Sequence, residues 1–147
     1  MINASFVFGL DGDDSTTFDR TVDWIVENKI ETVTSHILTP YPGTAQHAEM
    51  EREGRITSHR LAEYTTSNVV FMPRRISPEH LKKGYLGVYR KVYSYTNIIR
   101  RIPSSHLTDY LLFNFVYRKW GNLTEKVCRI AGYRRVGNFC RMVARYR

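Results

Sequence analysis

The chain has 147 residues, 42% of them hydrophobic, enough for one ordinary domain with a real core but short of the roughly 200 or more residues of a complete eight-stranded α/β barrel. No apolar run approaches the ~18 residues of a membrane span, and the opening, with Asn3 and Ser5 and no basic segment, does not read as a signal peptide, so a cytoplasmic protein is expected. The net charge of +8 conceals a division: residues 1–73 hold 5 Lys/Arg against 11 Asp/Glu, and residues 74–147 hold 17 against 3.

The elements of the acidic part alternate. Asn3 to Leu10 reads as a buried strand ending at Gly9, and the acidic loop Asp11 to Asp14 leads into a helix whose Phe18, Val22, Ile25 and Val26 share one face. Thr32 to Leu38 is β-branched enough for a second strand. The turn Pro40-Tyr41-Pro42-Gly43 then opens a helix from about Thr44 that Gly54 stops. Two consecutive βα units imply a parallel strand pair with both loops at one end. Val69 to Met72 reads as another strand or an extended packing segment.

The charge changes sign near Met72-Pro73-Arg74-Arg75, immediately before Ser77-Pro78-Glu79, a helix start in which Ser caps, Pro takes the first turn and Glu favours the positive end of the dipole. A boundary between modules 1–73 and 74–147 is placed there. Leu81, Tyr85, Val88, Tyr89, Val92 and Tyr93 keep helical spacing, with Lys82, Lys83, Arg90 and Lys91 opposite, in a run that Pro103 ends or kinks. A second, aromatic-rich helix is predicted over Ser105 to Trp120. Gly121-Asn122 should separate it from a basic amphipathic tail with Leu123, Val127, Ile130, Phe139 and Val143.

Groups that could carry chemistry are few. Cys128 and Cys140 stand twelve apart and form neither a disulfide framework nor a metal-ligand spacing, so both read as buried or half-buried thiols. His36, on a strand, reads as a core or rim histidine rather than a catalyst; His47, His59, His80 and His106 lack Cys or carboxylate partners at ligand spacing, and no metal site is expected. Asp11 to Asp14 lacks the periodicity of a calcium loop and reads as an acidic helix N-terminus.

Several of these segments, in their order and spacing, resemble radical S-adenosylmethionine (radical SAM) enzymes of the subgroup that often carries an N-terminal cobalamin-binding domain. Val7, two before Gly9, matches the fifth-strand position that packs on the cofactor adenine in that family. Phe8-Gly9-Leu10-Asp11-Gly12 is similar to its Gly-rich turn, with Asp13-Asp14 where many relatives have Glu. Pro40 to Thr44 matches its Pro-x-Pro-Gly-Thr-like turn after the sixth strand. Asn68 to Glu79, followed by Gly84, Tyr85 and Tyr89, looks like the uncharacterised helical extension beyond the barrel; the likeness covers roughly residues 3–100.

The resemblance implies an α/β fold: a partial (β/α) barrel segment over 1–73, then a helical C-terminal extension over 74–147. It implies that Val7, Phe8, Gly9, Leu38, Thr39, Pro40 and Tyr41 lie on the S-adenosylmethionine and substrate face, with no catalytic residue assigned. The family uses S-adenosylmethionine and a four-iron, four-sulfur cluster, in some members with cobalamin. Its cluster is held by a Cys-x3-Cys-x2-Cys loop that this sequence lacks.

The chain therefore reads as the C-terminal part of such an enzyme, whether truncated, excised or one subunit of a split enzyme. It should bind no cofactor alone and be inactive alone. Exposed strand edges should be met by self-association, by a cluster-bearing N-terminal half, or by the chain's own helical extension. The alternative is a basic binding module: cations interleaved with Tyr85, Tyr89, Tyr93, Tyr95, Tyr117, Trp120 and Tyr133 would suit nucleic acid, and Arg129 to Arg147 an anionic membrane surface. Nucleic acid ranks below the reading of these aromatics as amphipathic core residues.

Overall fold

The computed structural model of the chain describes residues 2–131, with side chains through Lys119. The order is β1 (Asn3–Phe8), α1 (Thr17–Glu27), β2 (Thr32–Ile37), α2 (Ala45–Arg52), a 3-10 turn (Leu61–Glu63), α3 (Pro78–Val92), α4 (Tyr95–Arg100) and α5 (Leu107–Ala131). The expected mixed α/β class is present. Among the described residues the sheet has two strands, β1 and β2, paired in parallel from Asn3↔Thr32 to Phe8↔Ile37.

One face of this pair is covered and the other is not. Phe8, Val33 and Ile37 are buried with Phe18, Val22 and Ile25 of α1 and Leu81, Tyr85, Val88 and Val92 of α3 in one apolar cluster. A fully buried side chain of this size contributes about 1.5–3 kcal/mol. On the opposite face, Asn3, Ser5 and Val7 of β1 are exposed beside the half-buried Thr34 and His36 of β2. The approach of α1 to α3 depends on Gly84, where an added Cβ would lie 2.4 Å from Cε2 of Phe18.

The helical part departs from the sequence expectation in two places. The run from Ser77 toward Pro103 is two helices, because Ser94 accepts a hydrogen bond from the Asn97 N–H at 3.3 Å and caps a new start. The last helix begins at Leu107 rather than Ser105 and runs through Gly121 and Asn122 to Ala131. Those two residues cost a helix only about 1 kcal/mol or less each relative to Ala, too little to break a long hydrogen-bonded run. Phe71 makes a single antiparallel bridge with Ile56, so Val69 to Met72 is an extended packing segment. Cys140, Phe139, Val143, Tyr133 and most of the Arg129–Arg147 tail lie outside the described residues, as does the side chain of Cys128.

The helical part, together with the segment before it, also finishes the sheet. The Val33 and Ser35 N–H groups, which point away from β1, donate to the hydroxyls of Tyr93 (3.0 Å) and Tyr89 (2.8 Å), and that of Ile37 donates to the Thr66 carbonyl (2.6 Å). Arg101, 0% exposed, donates to the carbonyls of Ile30 (2.5 Å), Glu31 (3.2 Å), Val92 (2.8 Å) and Asn97 (3.1 Å) and to Asn114 Oδ1 (3.2 Å), tying α3, α4 and α5 to the entrance of β2. Burial pulls its pKa down, while the neighbouring phenols of Tyr110 and Tyr93 act the other way.

Candidate functional site

The C-terminal ends of β1 and β2 lie side by side, with the Leu38 N–H donating to the Phe8 carbonyl at 2.8 Å. Both following loops therefore leave the same end of the sheet, as parallel pairing requires. Gly9 turns the first loop at φ +99°, and a Cβ there would stand 2.9 Å from Leu81 Cδ2 and 3.0 Å from Phe71 Cζ, so only glycine fits.

Side chains of the acidic loop close on their own backbone. The N–H groups of Gly9 and Leu10 donate to Asp13 Oδ2 at 2.8 and 3.0 Å, and Asp14 Oδ1 accepts from the Thr16 N–H at 2.8 Å and the Thr16 hydroxyl at 2.7 Å. The hydroxyl bond, followed by the Thr16 amide, holds the Asp14 carboxyl below its usual range. The acidic helix-start reading fits Asp14, beside the α1 cap Thr16, whereas Asp13 instead closes the turn at the end of β1.

Asp11 has a different part. Its carboxylate meets Arg55 Nη2 at 2.7 Å and Arg74 Nε at 2.8 Å, and the same two guanidiniums reach Glu53 at 3.1 and 2.7 Å. These bonds, Arg55's first, hold the Asp11 carboxyl below the ordinary carboxylate range. The cluster fastens the β1 loop to the residues after α2 and to the segment before α3. Between the two loops a cavity of about 200 Å³ is lined by Leu10, Asp11, Leu38, Glu49, Met50 and Arg55.

The seven residues assigned to the cofactor and substrate face lie at this end of the sheet in unequal roles. Val7 is 46% exposed on the uncovered face and stands in register with His36; Phe8 is buried under the helices, and the Gly9 amide is taken by Asp13. Leu38 walls the cavity, and the Thr39 hydroxyl donates to the Ile37 and Thr65 carbonyls. Pro40 is buried, whereas Tyr41 is exposed with its ring 6.5 Å from that of Tyr64.

Sequence reasoning did not single out Arg55, Glu49 or Glu53. Asp11 lies 44 residues from Arg55 and 63 from Arg74, and no local pattern links them. Of the histidines, His47 is buried, with Nδ1 3.7 Å from Glu51 and Nε2 3.5 Å from the Tyr64 hydroxyl. Among the described residues no His, Cys, Asp or Glu side chains converge as a metal-holding group.

Comparison with known proteins bears on what this end of the sheet serves. The chain is 30% identical over 119 residues to the bacteriochlorophyllide d C-12(1)-methyltransferase of Chlorobaculum tepidum, covering 81% of this chain and 26% of that protein. It is 29% identical over 100 residues to the bacteriochlorophyllide d C-8(2)-methyltransferase of the same organism, covering 68% of this chain and 22% of that protein. The chain thus spans about a quarter of the length of these curated relatives. A family model described as a domain of unknown function, DUF4070, matches residues 44–128, more than half of the chain and the whole stretch from the cap of α2 into α5. The chain belongs to the DUF4070 family, a domain associated with cobalamin-binding radical SAM methyltransferases.

Proposed function

We infer that this chain supplies the last two βα units and the helical extension of a cobalamin-dependent radical SAM methyltransferase, forming part of its S-adenosylmethionine and substrate face. The observation that carries this reading is the parallel pair whose loops, Gly9 to Asp14 and Leu38 to Thr44, leave one end of a sheet with a polar, uncovered face. The likeness to two bacteriochlorophyllide methyltransferases supports the reaction class.

The residues fit the cofactor unevenly. Val7 offers an apolar, exposed side chain at a strand end on the uncovered face, suited to the flat face of an adenine. Phe8 points into the core, so its contribution is to hold Val7 and Gly9 in place, and the Leu38–Tyr41 segment borders the same rim. When bound, S-adenosylmethionine supplies the radical chemistry of the family. The iron–sulfur cluster finds no ligand set here, since the two cysteines of the sequence stand twelve apart beyond β2. Activity therefore requires polypeptide that carries the cluster, and the chain alone is inactive.

The test replaces the matching segment of the C-12(1)-methyltransferase of C. tepidum with the segment of this chain. The folded chimera should form 5′-deoxyadenosine anaerobically, whereas the isolated chain, treated with iron and sulfide, should not. Changing Val7 to Asp in the chimera sets a charge against the adenine, and calorimetric cofactor affinity should fall at least roughly tenfold with cluster assembly intact. Cofactor cleavage by the isolated chain, or equal affinity in the Val7→Asp chimera, defeats the proposal.

A further inference from the structure

The DUF4070 match begins at Thr44, where the second of the two loops at the ligand end of the sheet finishes. Both loops therefore precede it, and residues 53–74, between α2 and α3, lie wholly inside it. These residues double back on themselves: Ile56 bridges Phe71, the Thr57 N–H donates to the Val70 carbonyl at 2.9 Å, and the Met72 N–H donates to the Arg55 carbonyl at 2.7 Å. Arg55 Nε returns a bond to the Met72 carbonyl at 2.8 Å. Lys82 of α3 donates to the Ser67 carbonyl and ties the doubled segment to the core helix.

Three contacts run from this segment back to the loops. Phe71, fully buried, stands under the Gly9 turn, where a Cβ would meet its Cζ at 3.0 Å. The Thr65 and Thr66 carbonyls accept from the Thr39 hydroxyl at 3.3 Å and from the Ile37 N–H at 2.6 Å. Arg55 and Arg74 each bridge Asp11 and Glu53, so two guanidiniums and two carboxylates close a ring. Asp13 and Asp14 bind the first loop to itself and to the start of α1, which leaves Asp11, among the described residues, as its one hydrogen-bonded link to the chain beyond α1. Asp11 and Arg74 are both 48% exposed, and exposed ion pairs contribute little to folding. What the ring does supply is a fixed position for a loop that a ligand would otherwise have to order on binding.

We propose that residues 53–74 are a strap that presets both loops for the cofactor, with Arg55 and Arg74 as positioning residues that act through Asp11 on Gly9 and Val7. The inference rests on the proposed function and gives the DUF4070 stretch a task within it: holding the ligand end of the sheet that precedes it. Neither arginine has to touch the cofactor. Cutting the tie frees the loop, and binding must then supply the ordering that the strap now supplies.

Two readouts test it, one of them without cofactor. In the isolated chain Arg74→Gln should speed amide exchange at Gly9, Leu10 and Asp13, whose acceptors lie in the loop, at least roughly fivefold, with Val33 and Ser35 unchanged. In the chimera with the C. tepidum enzyme the same change should weaken calorimetric cofactor affinity roughly tenfold, with cluster assembly and melting temperature near those of the unaltered chimera. Asp11→Asn should act alike from the other side of the tie, and the double variant should bind no worse than Asp11→Asn alone, because Arg74 works through Asp11. Arg75→Gln removes the same charge from an exposed neighbour and should match the unaltered chimera. Unchanged loop exchange in both single variants, or unchanged cofactor affinity despite faster exchange, overturns the inference and leaves the proposed function standing. Additive losses in the double variant, or an equal loss in Arg75→Gln, overturn it as well. A folded, cluster-bearing chimera that binds no cofactor defeats the proposed function instead, and the exchange rates then still decide whether the strap holds the loop.

Discussion

The phenol oxygen of Tyr93 accepts a hydrogen bond from the Val33 N–H and donates one to the Val33 carbonyl, both at 3.0 Å. Tyr89 repeats the arrangement one helical turn earlier on Ser35, at 2.8 and 3.1 Å. The match is geometric: residues four apart on a helix rise about 6 Å, close to the ~6.6 Å between alternate residues of a strand. Tyr89 of α3 and Tyr93, its C-cap residue, thus occupy the hydrogen-bonding positions of a third strand.

Removing either hydroxyl while keeping the ring isolates this effect. Tyr93→Phe leaves the outward N–H and C=O of Val33 without partners in a site where the ring is 4% exposed, and should cost about 1–3 kcal/mol in urea unfolding. Tyr89→Phe, at a half-buried position, should cost less. The double variant opens a second edge and should associate with itself in light scattering. Costs within a few tenths of a kcal/mol for both would show that the hydroxyl bonds are incidental.

Alkaline pH reaches the same residue. Burial, first, pushes the Tyr93 phenol up to about 12, with its bond to Val33 acting weakly the other way. An acid whose folded pKa lies above its unfolded value of about 10 favours folding fully below pH 10, and that contribution fades as pH rises toward 12. The loss over this window is roughly 2–3 kcal/mol by linkage. Tyr93→Phe should flatten that limb of the stability profile, and an unchanged slope between pH 10 and 12 would assign the alkaline loss elsewhere.

Arg101 presents a buried guanidinium surrounded by carbonyl oxygens and an amide. Its fork satisfies the end of α3, the entrance of β2 and α5 at once, which an ammonium with three donors on a flexible stem cannot span. Arg101→Lys should therefore cost several kcal/mol, nearly as much as Arg101→Met. A lysine variant of wild-type stability in chemical denaturation would mean that charge alone suffices.

What could be read in advance divides along the same lines. The β1–α1–β2–α2 order and the start of α3 followed from local signals: the spacing of Phe18, Val22 and Ile25, the breaks at Gly9 and Pro40, and the Ser77 cap, which does accept from the His80 N–H. Tyr89 and Tyr93 read as amphipathic aromatics, and Arg101 as one cation among seventeen on a basic half. Nothing local separates a solvated arginine from one whose carbonyl partners lie 70 residues away. At the candidate site the parallel pairing put Val7 and Tyr41 at one end of the sheet, whereas the Asp11–Arg55–Arg74 cluster depends on a tertiary approach that no periodicity encodes.

Gly84 and Gly87, one turn apart on α3, give a matched test of the α1–α3 contact. Each is a glycine inside a helix, where alanine is intrinsically better by about 0.5–1 kcal/mol. A Cβ on Gly87 meets nothing within 4 Å, so Gly87→Ala should keep that gain and raise the melting temperature by about 2–4 °C. A Cβ on Gly84 would enter the Phe18 ring at 2.4–2.5 Å, and that ring cannot yield freely because it is 5% exposed and stands 5.2 Å from the ring of Phe8. Gly84→Ala should therefore destabilise by about 1–3 kcal/mol despite its better helix propensity. Pairing Gly84→Ala with Phe18→Leu makes room and should recover part of the loss, an interaction of at least ~0.5 kcal/mol in a double-mutant cycle. Additive costs in that cycle would show that α1 and α3 do not meet at these two residues.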